Sequence, residues 1–343
     1  MPPVDSSTKR EYAAIDIAKL ICSILVVAIH TEPFAGNFWL DKGLGLFTRI
    51  PVPFFFVASG YFLFLKDKQM TSGKKLAKYM GRIALMYGIW SLIYMPFLVK
   101  SCMPAETSGT FAAARFIKSL IWTGVSSHLW YLIATIVAAG MTWLMYRRFT
   151  EKTTLIVATI LLIFGTLFST YAVLIHKLIQ GEGIRQVFKV LSIIDTRNGI
   201  FYGFFYLALG GFIACHHVKR SQLCNAIGAC LSIVLLAVES LVAVRYLKCT
   251  STIMWFATPF LVYFVFMFVL DCPLVIKREH AVTIRNMSTI IYTSQFLFIY
   301  LLIALEISSH GIPVFIGTVI LCLIFSAILL GFKNKCKWLG YLY

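Results

Sequence analysis

The sequence predicts an all-α protein: a polytopic bundle of about ten transmembrane helices with both termini cytoplasmic. Three observations carry this. Of 343 residues, 59% are hydrophobic and only 13% charged, about half the charged share of an ordinary soluble domain. Mean hydropathy is +0.84, and the apolar character is spread along the whole chain. The apolar runs are also about twenty residues long, the length that crosses a bilayer as a helix, whereas a membrane barrel alternates over about ten.

Charged and Pro/Gly-rich breaks divide the chain into spans near 13–32, 45–65, 79–99, 127–146, 153–175, 199–216, 223–244, 252–270, 288–306 and 312–332. Lys and Arg in alternate connecting segments number 19 on the side holding both termini and 11 on the other, with Lys19 inside the first span. The positive-inside rule therefore puts both ends in the cytoplasm and accounts for the net charge of +17. No compact basic domain exists for nucleic acid to bind, so none is expected as a partner. The partner of so apolar a chain is the lipid bilayer, and the expected location is the plasma membrane, crossed many times.

Two segments outside the spans, 110–123 and 176–195, space apolar side chains at helical intervals with Arg115, Lys118, Arg185 and Lys189 elsewhere, and are expected to lie flat on the outer surface. The nine cysteines are scattered without C-x-x-C pairs or zinc spacing, so no metal site or disulfide framework is predicted. There is no G-x-S-x-G turn, no H-x-x-x-x-D motif and no phosphate-binding loop of the Walker type. The whole chain, 1–343, reads as a single membrane domain.

Ionisable residues at bilayer depth are costly and so point to function. The first span, AAIDIAKLICSILVVAIHTEPF, carries Asp16, Lys19 and His30. Asp16 and Lys19 lie one turn apart, in position to pair. Lys19 and His30 are eleven residues apart, close to three full turns, so they share a face about 16 Å apart along the axis. Such a pair suits acyl transfer from a cytosolic thioester, with the cation at the entrance and His30 as general base. The alternative is a snorkelling lysine and a histidine that only packs.

In the second span, RIPVPFFFVASGYFLF, Arg49 precedes two prolines that would leave backbone groups open to a cavity. His128 in SSHLWYL and Arg197 in TRNGIFYGFFYLALGG fall in the same outer half as His30 and Arg49. Trp130 and Tyr131 fit an interfacial aromatic belt. On the opposite side, KDKQMTSGKKLAKYMGR gathers Lys74, Lys75, Lys78 and Arg82, either to hold coenzyme A phosphates or to set topology and bind anionic lipid. Glu239 and Gln295 are isolated polar residues of the kind that hydrogen-bond between helices, and Glu32 and Glu306 lie near outer ends.

At these residues the chain resembles the acyltransferase 3 family of integral membrane acyltransferases. The likeness rests on Lys19 and His30, the basic residue, ten-residue gap and histidine of the first helix, and on PFFFVASGYF and RNGIFYGFFYLALGG. Within that family it is similar to the membrane part of VanT-type serine racemases of vancomycin-resistance clusters, around VVAIHTEPF and VPFFFVASGYF.

The resemblance implies an acyl-CoA donor, acetyl-CoA first, and transfer to an extracytoplasmic acceptor in the cell envelope. His30 is then catalytic and Arg49 stabilises the oxyanion. Lys19, Lys78 and Arg82 are implied on the donor side, and Glu32, His128, Arg197 and Gln295 as candidates toward substrate. Two positions depart from the family pattern: Tyr79 stands where the first arginine of an R-x-x-R pair is found, and STIIYTSQ offers Gln295 where many members have histidine. The VanT likeness implies instead a domain that binds or imports L-serine, with Arg49 or Arg197 on the carboxylate and Glu32 or Glu239 on the ammonium. The eleven residues from Lys333 to Tyr343 cannot form a pyridoxal-phosphate barrel, so no PLP is expected in this chain, and a soluble domain beyond it is.

Overall fold

The computed structural model describes residues 12–65, 73–102, 109–179, 181–217, 219–249, 253–332 and 335–343. The basic residues Lys9, Arg10, Lys66, Lys68 and Lys333, which enter the orientation count, lie outside them, as does the first residue of the 252–270 span. The described residues are helical, with no strands among them.

The helices are α1 (Ala13–Thr31), α2 (Phe38–Phe47), α3 (Pro51–Phe64), α4 (Gly73–Cys102), α5 (Gly109–Lys118), α6 (Trp130–Tyr146), α7 (Glu151–Ser169), α8 (Ala172–Leu178), α9 (Glu182–Ile194), α10 (Phe204–His216), α11 (Gln222–Leu241), α12 (Thr258–Leu270), α13 (Arg278–Ala304) and α14 (Ile312–Phe332). Among the described residues eight helical stretches are long and apolar enough to cross a membrane. The other two of the ten predicted spans are the shorter α6 and α12, of 17 and 13 residues.

Two predicted elements divide. The 45–65 span is two helices, because Pro51 takes the first position of α3, where its missing N–H costs nothing and its ring forbids a continuous helix from α2. Its prolines thus begin a helix instead of opening gaps within one. The 176–195 segment likewise divides around Gly181 into α8 and α9.

On one helix the polar side chains turn inward and large apolar ones outward. On α14, Thr318, Cys322 and Ser326 are buried, while Ile316, Ile320, Ile324 and Ile328, also four apart, form a half-exposed stripe suited to lipid. Buried hydroxyls close on the preceding turn, as Ser326 does by donating to the Cys322 carbonyl at 2.7 Å.

At the centre α3 and α10 touch backbone to backbone. A Cβ added to Gly60 would lie 2.0 Å from the Leu207 carbonyl oxygen, and one on Gly210 would lie 2.0 Å from that of Val57. The glycines of ASGYF and LALGG are there because nothing larger fits.

Around this pair α1 packs on α13. Ser23 donates to the Ser288 carbonyl at 2.8 Å, and Arg285 grips Asp16 with both arms, Nε–Oδ1 at 2.9 Å and Nη2–Oδ2 at 2.8 Å. Asp16 therefore pairs with a residue 269 positions away and not with Lys19, since a planar guanidinium matches both carboxylate oxygens. Glu239 is likewise tied down, accepting from the Tyr171 hydroxyl and from the backbone N–H groups of Phe256 and Ala257.

Candidate functional site: a cationic cavity with one open imidazole

Four segments converge at the end of the bundle where α1 finishes. The last turn of α1 brings Val26, Ile29 and His30. The break between α2 and α3 contributes Thr48 and Arg49, and the first turn of α3 adds Val52 and Pro53. The turn before α6 supplies Ser127 and His128, with Trp130 just inside that helix. Gly124, at φ +88°, permits the turn; a Cβ there would sit 2.5 Å from the Trp130 nitrogen.

Arg197 arrives on the loop before α10, and this loop is locked. Asp195 Oδ1 accepts from the Arg197 N–H at 2.9 Å, and the Asn198 side chain caps the next turn by accepting from Ile200 and Phe201. With Tyr202, Ile253 and Tyr292 these residues enclose a cavity of about 140 Å³.

Among the described residues no carboxylate lines the cavity, although two guanidiniums do. The Arg197 guanidinium lies over the Trp130 ring, 5.0 Å from its centroid, with Nε buried and without a hydrogen-bond partner. Trp130 and Tyr131 are themselves buried, so they are not an interfacial belt: Trp130 is the platform under Arg197.

The two imidazoles differ. His128 is spoken for at both nitrogens: Nε2 lies 3.1 Å from the Thr293 carbonyl, to which it must donate, leaving Nδ1, 3.3 Å from Ser126 Oγ, as acceptor. Its ring stacks on Phe296 at 4.9 Å, and Tyr292 donates its hydroxyl to the His128 carbonyl. His30 meets the same Phe296 edge-on at 4.7 Å, and no hydrogen bond holds its ring nitrogens among the described residues.

The remaining predicted residues lie elsewhere. Lys19 is half-buried near the far end of α1, its Nζ 5.1 Å from the Phe62 ring centroid, and does not line the cavity. Lys78 is exposed on α4. Arg82, also on α4, donates to the Tyr343 main-chain oxygen at 2.9 Å. Glu32 is exposed at the end of α1 in the left-handed region, φ 45°. Gln295 is fully buried and donates to the Tyr292 carbonyl at 2.8 Å, one turn from the cavity wall. Among the described residues, no three His, Cys, Asp or Glu converge as metal ligands.

The structure thus gathers His30, Arg49, His128 and Arg197, and adds Trp130, Tyr202 and Tyr292. The tyrosines carried no signal in the sequence, since isolated aromatics in apolar runs read as packing.

A model of the acyltransferase 3 family, described as an acyltransferase domain, matches residues 12–331. An amino-acid racemase of Enterococcus faecalis is 31% identical over 222 residues, covering 60% of this chain and 29% of that protein. A serine/alanine racemase of Enterococcus gallinarum is 27% identical over 234 residues, covering 66% of this chain and 32% of its own length. The matched stretch is under a third of each racemase. No solved structure matches.

Proposed function

This chain belongs to the acyltransferase 3 family. We propose that it moves an acyl group, acetyl in the first instance, from cytosolic acyl-CoA to a hydroxyl or amine acceptor on the opposite side of the membrane. One observation carries the reading: His30 lines a cationic cavity, and among the described residues no hydrogen bond holds its ring nitrogens.

In this reading His30 takes the proton from the acceptor as its oxygen or nitrogen attacks the thioester carbonyl. Arg49 faces the oxyanion that develops there, in a site with no competing carboxylate. Collapse breaks the carbon–sulfur bond, and the coenzyme A thiolate recovers the proton from His30. Lys19, Lys78 and Arg82, at the other end of the bundle, attract the donor's phosphates. The acceptor's polar groups meet Arg197, while His128, fixed at both nitrogens, shapes the wall and Gln295 lies behind Tyr292.

The test is transfer of labelled acetyl from acetyl-CoA by the purified protein in liposomes, compared with His30→Ala. Undiminished transfer by the variant removes His30 from the chemistry.

A second reading is favoured by the relatives' names together with two arginines that line the cavity. A small amino acid such as L-serine fits a cavity of about 140 Å³, its carboxylate on Arg49 or Arg197. Labelled serine should then exchange across liposomes. Absence of flux alongside acyl-CoA binding decides against this reading.

A further inference from the structure

Residues 335–343 return to the bundle after α14 and lie against α4. Leu339, Leu342 and Tyr343 are buried, in one apolar cluster with Trp90 and Tyr94. Two main-chain oxygens take the polar groups of the α4 face: Leu342 accepts from the Trp90 indole N–H at 3.1 Å, and Tyr343 from Arg82 Nη2 at 2.9 Å.

Those α4 residues form a line. Arg82, Met86, Trp90 and Tyr94 recur every four residues, one face of a helix over about 18 Å. The line ends at the cavity wall, for Trp90 stacks on Tyr94 at 5.9 Å, and Tyr94 meets His128 edge-on at 5.4 Å. Tyr94 and His128 both hydrogen-bond the Thr293 carbonyl. The segment therefore covers the part of α4 that leads from the Lys19 end to the cavity.

We propose that residues 335–343 are a displaceable strap over the donor-side approach to the cavity, released when an acyl-CoA takes over Arg82 and Trp90. This rests on the acyl-transfer reading above. The chemistry of the exchange is balanced at each contact. Arg82 gives the strap one N–H, whereas a phosphate accepts two in parallel. The Trp90 N–H, on a side chain that is 1% exposed, needs an acceptor at all times, and an amide carbonyl of the donor's pantetheine arm replaces that of Leu342. Leu342 and Tyr343 leave apolar space that an acyl chain and its arm refill.

The test uses the full chain in detergent or liposomes, with acetyl-CoA as probe, in wild type and in Leu342→Gly/Tyr343→Gly. The strap's own Cys336, half-buried, reports its release through alkylation quantified at that residue by mass spectrometry. Expected are several-fold tighter acetyl-CoA binding by the double variant, and Cys336 labelling in wild type that accelerates when acetyl-CoA is added. Binding by both proteins with equal affinity and with unchanged Cys336 labelling overturns the strap while leaving the acyl-transfer reading intact, as does a double variant that merely melts earlier. Acetyl-CoA binding by neither protein overturns both.

Discussion

The two ends of the bundle hold charge in opposite ways. At the Lys19 end the buried Asp16 carboxylate is gripped by Arg285, Lys19 lies against the Phe62 ring, and Arg82 is occupied by a main-chain oxygen. At the His30 end two arginines face a cavity that no carboxylate among the described residues lines, and no hydrogen bond from those residues holds the His30 ring nitrogens. A fold stabilises itself with the first arrangement. The second is costly to maintain, which is the physical ground for proposing a site there.

Substitutions at the two ends should separate activity from stability. The largest expected effect is on the open end. His30→Ala should lower acetyl transfer by about 10²–10⁴-fold, the usual worth of a general base, with little change in melting temperature because the ring contributes no protein hydrogen bond. A parallel fall in melting temperature would instead assign His30 to packing.

Next, Arg285→Ala should cost about 3–5 kcal/mol, because it strands a carboxylate that is 3% exposed. Asp16→Asn should cost less, about 1–3 kcal/mol, since Arg285 is half-exposed and turns to water. Equal losses in denaturant unfolding would erase that asymmetry. His128→Ala leaves the Thr293 carbonyl short of one donor and opens a void beside Phe296, so about 1–3 kcal/mol is lost. Activity should fall with it, unlike His30→Ala.

The smallest effect is the most discriminating. Arg197→Lys keeps the charge but loses the planar contact with Trp130, worth about 0.5–2 kcal/mol. It should raise KM for the acceptor several-fold and leave kcat nearly unchanged. A fall in kcat alone would place Arg197 on the reacting atoms.

The spans were legible because a bilayer demands about twenty apolar residues and the chain supplies them in runs. His30, Arg49, His128 and Arg197 stood out for the same reason, as polar residues amid those runs. What was not legible depended on distant partners. Asp16 had Lys19 one turn away, yet Arg285 binds it because the α1–α13 packing delivers a bidentate donor. Trp130 looked interfacial until Arg197 was found above it. The return of residues 335–343 to α4 had no periodic signature, being a short turn with a few apolar side chains. The spans expected at 127–146 and 252–270 fold as the shorter helices α6 and α12, of 17 and 13 residues.

The glycine contact between α3 and α10 sets what can move. Carbonyl oxygens pressed onto Cα atoms leave no slack, so the chain on either side, Arg49 before α3 and Arg197 before α10, is carried by one inelastic frame. Any opening wide enough to admit cargo from the water must swing helices such as α4 or α13 away from that frame. A rocking motion that parted α3 from α10 would tear the tightest glycine seam among the described residues.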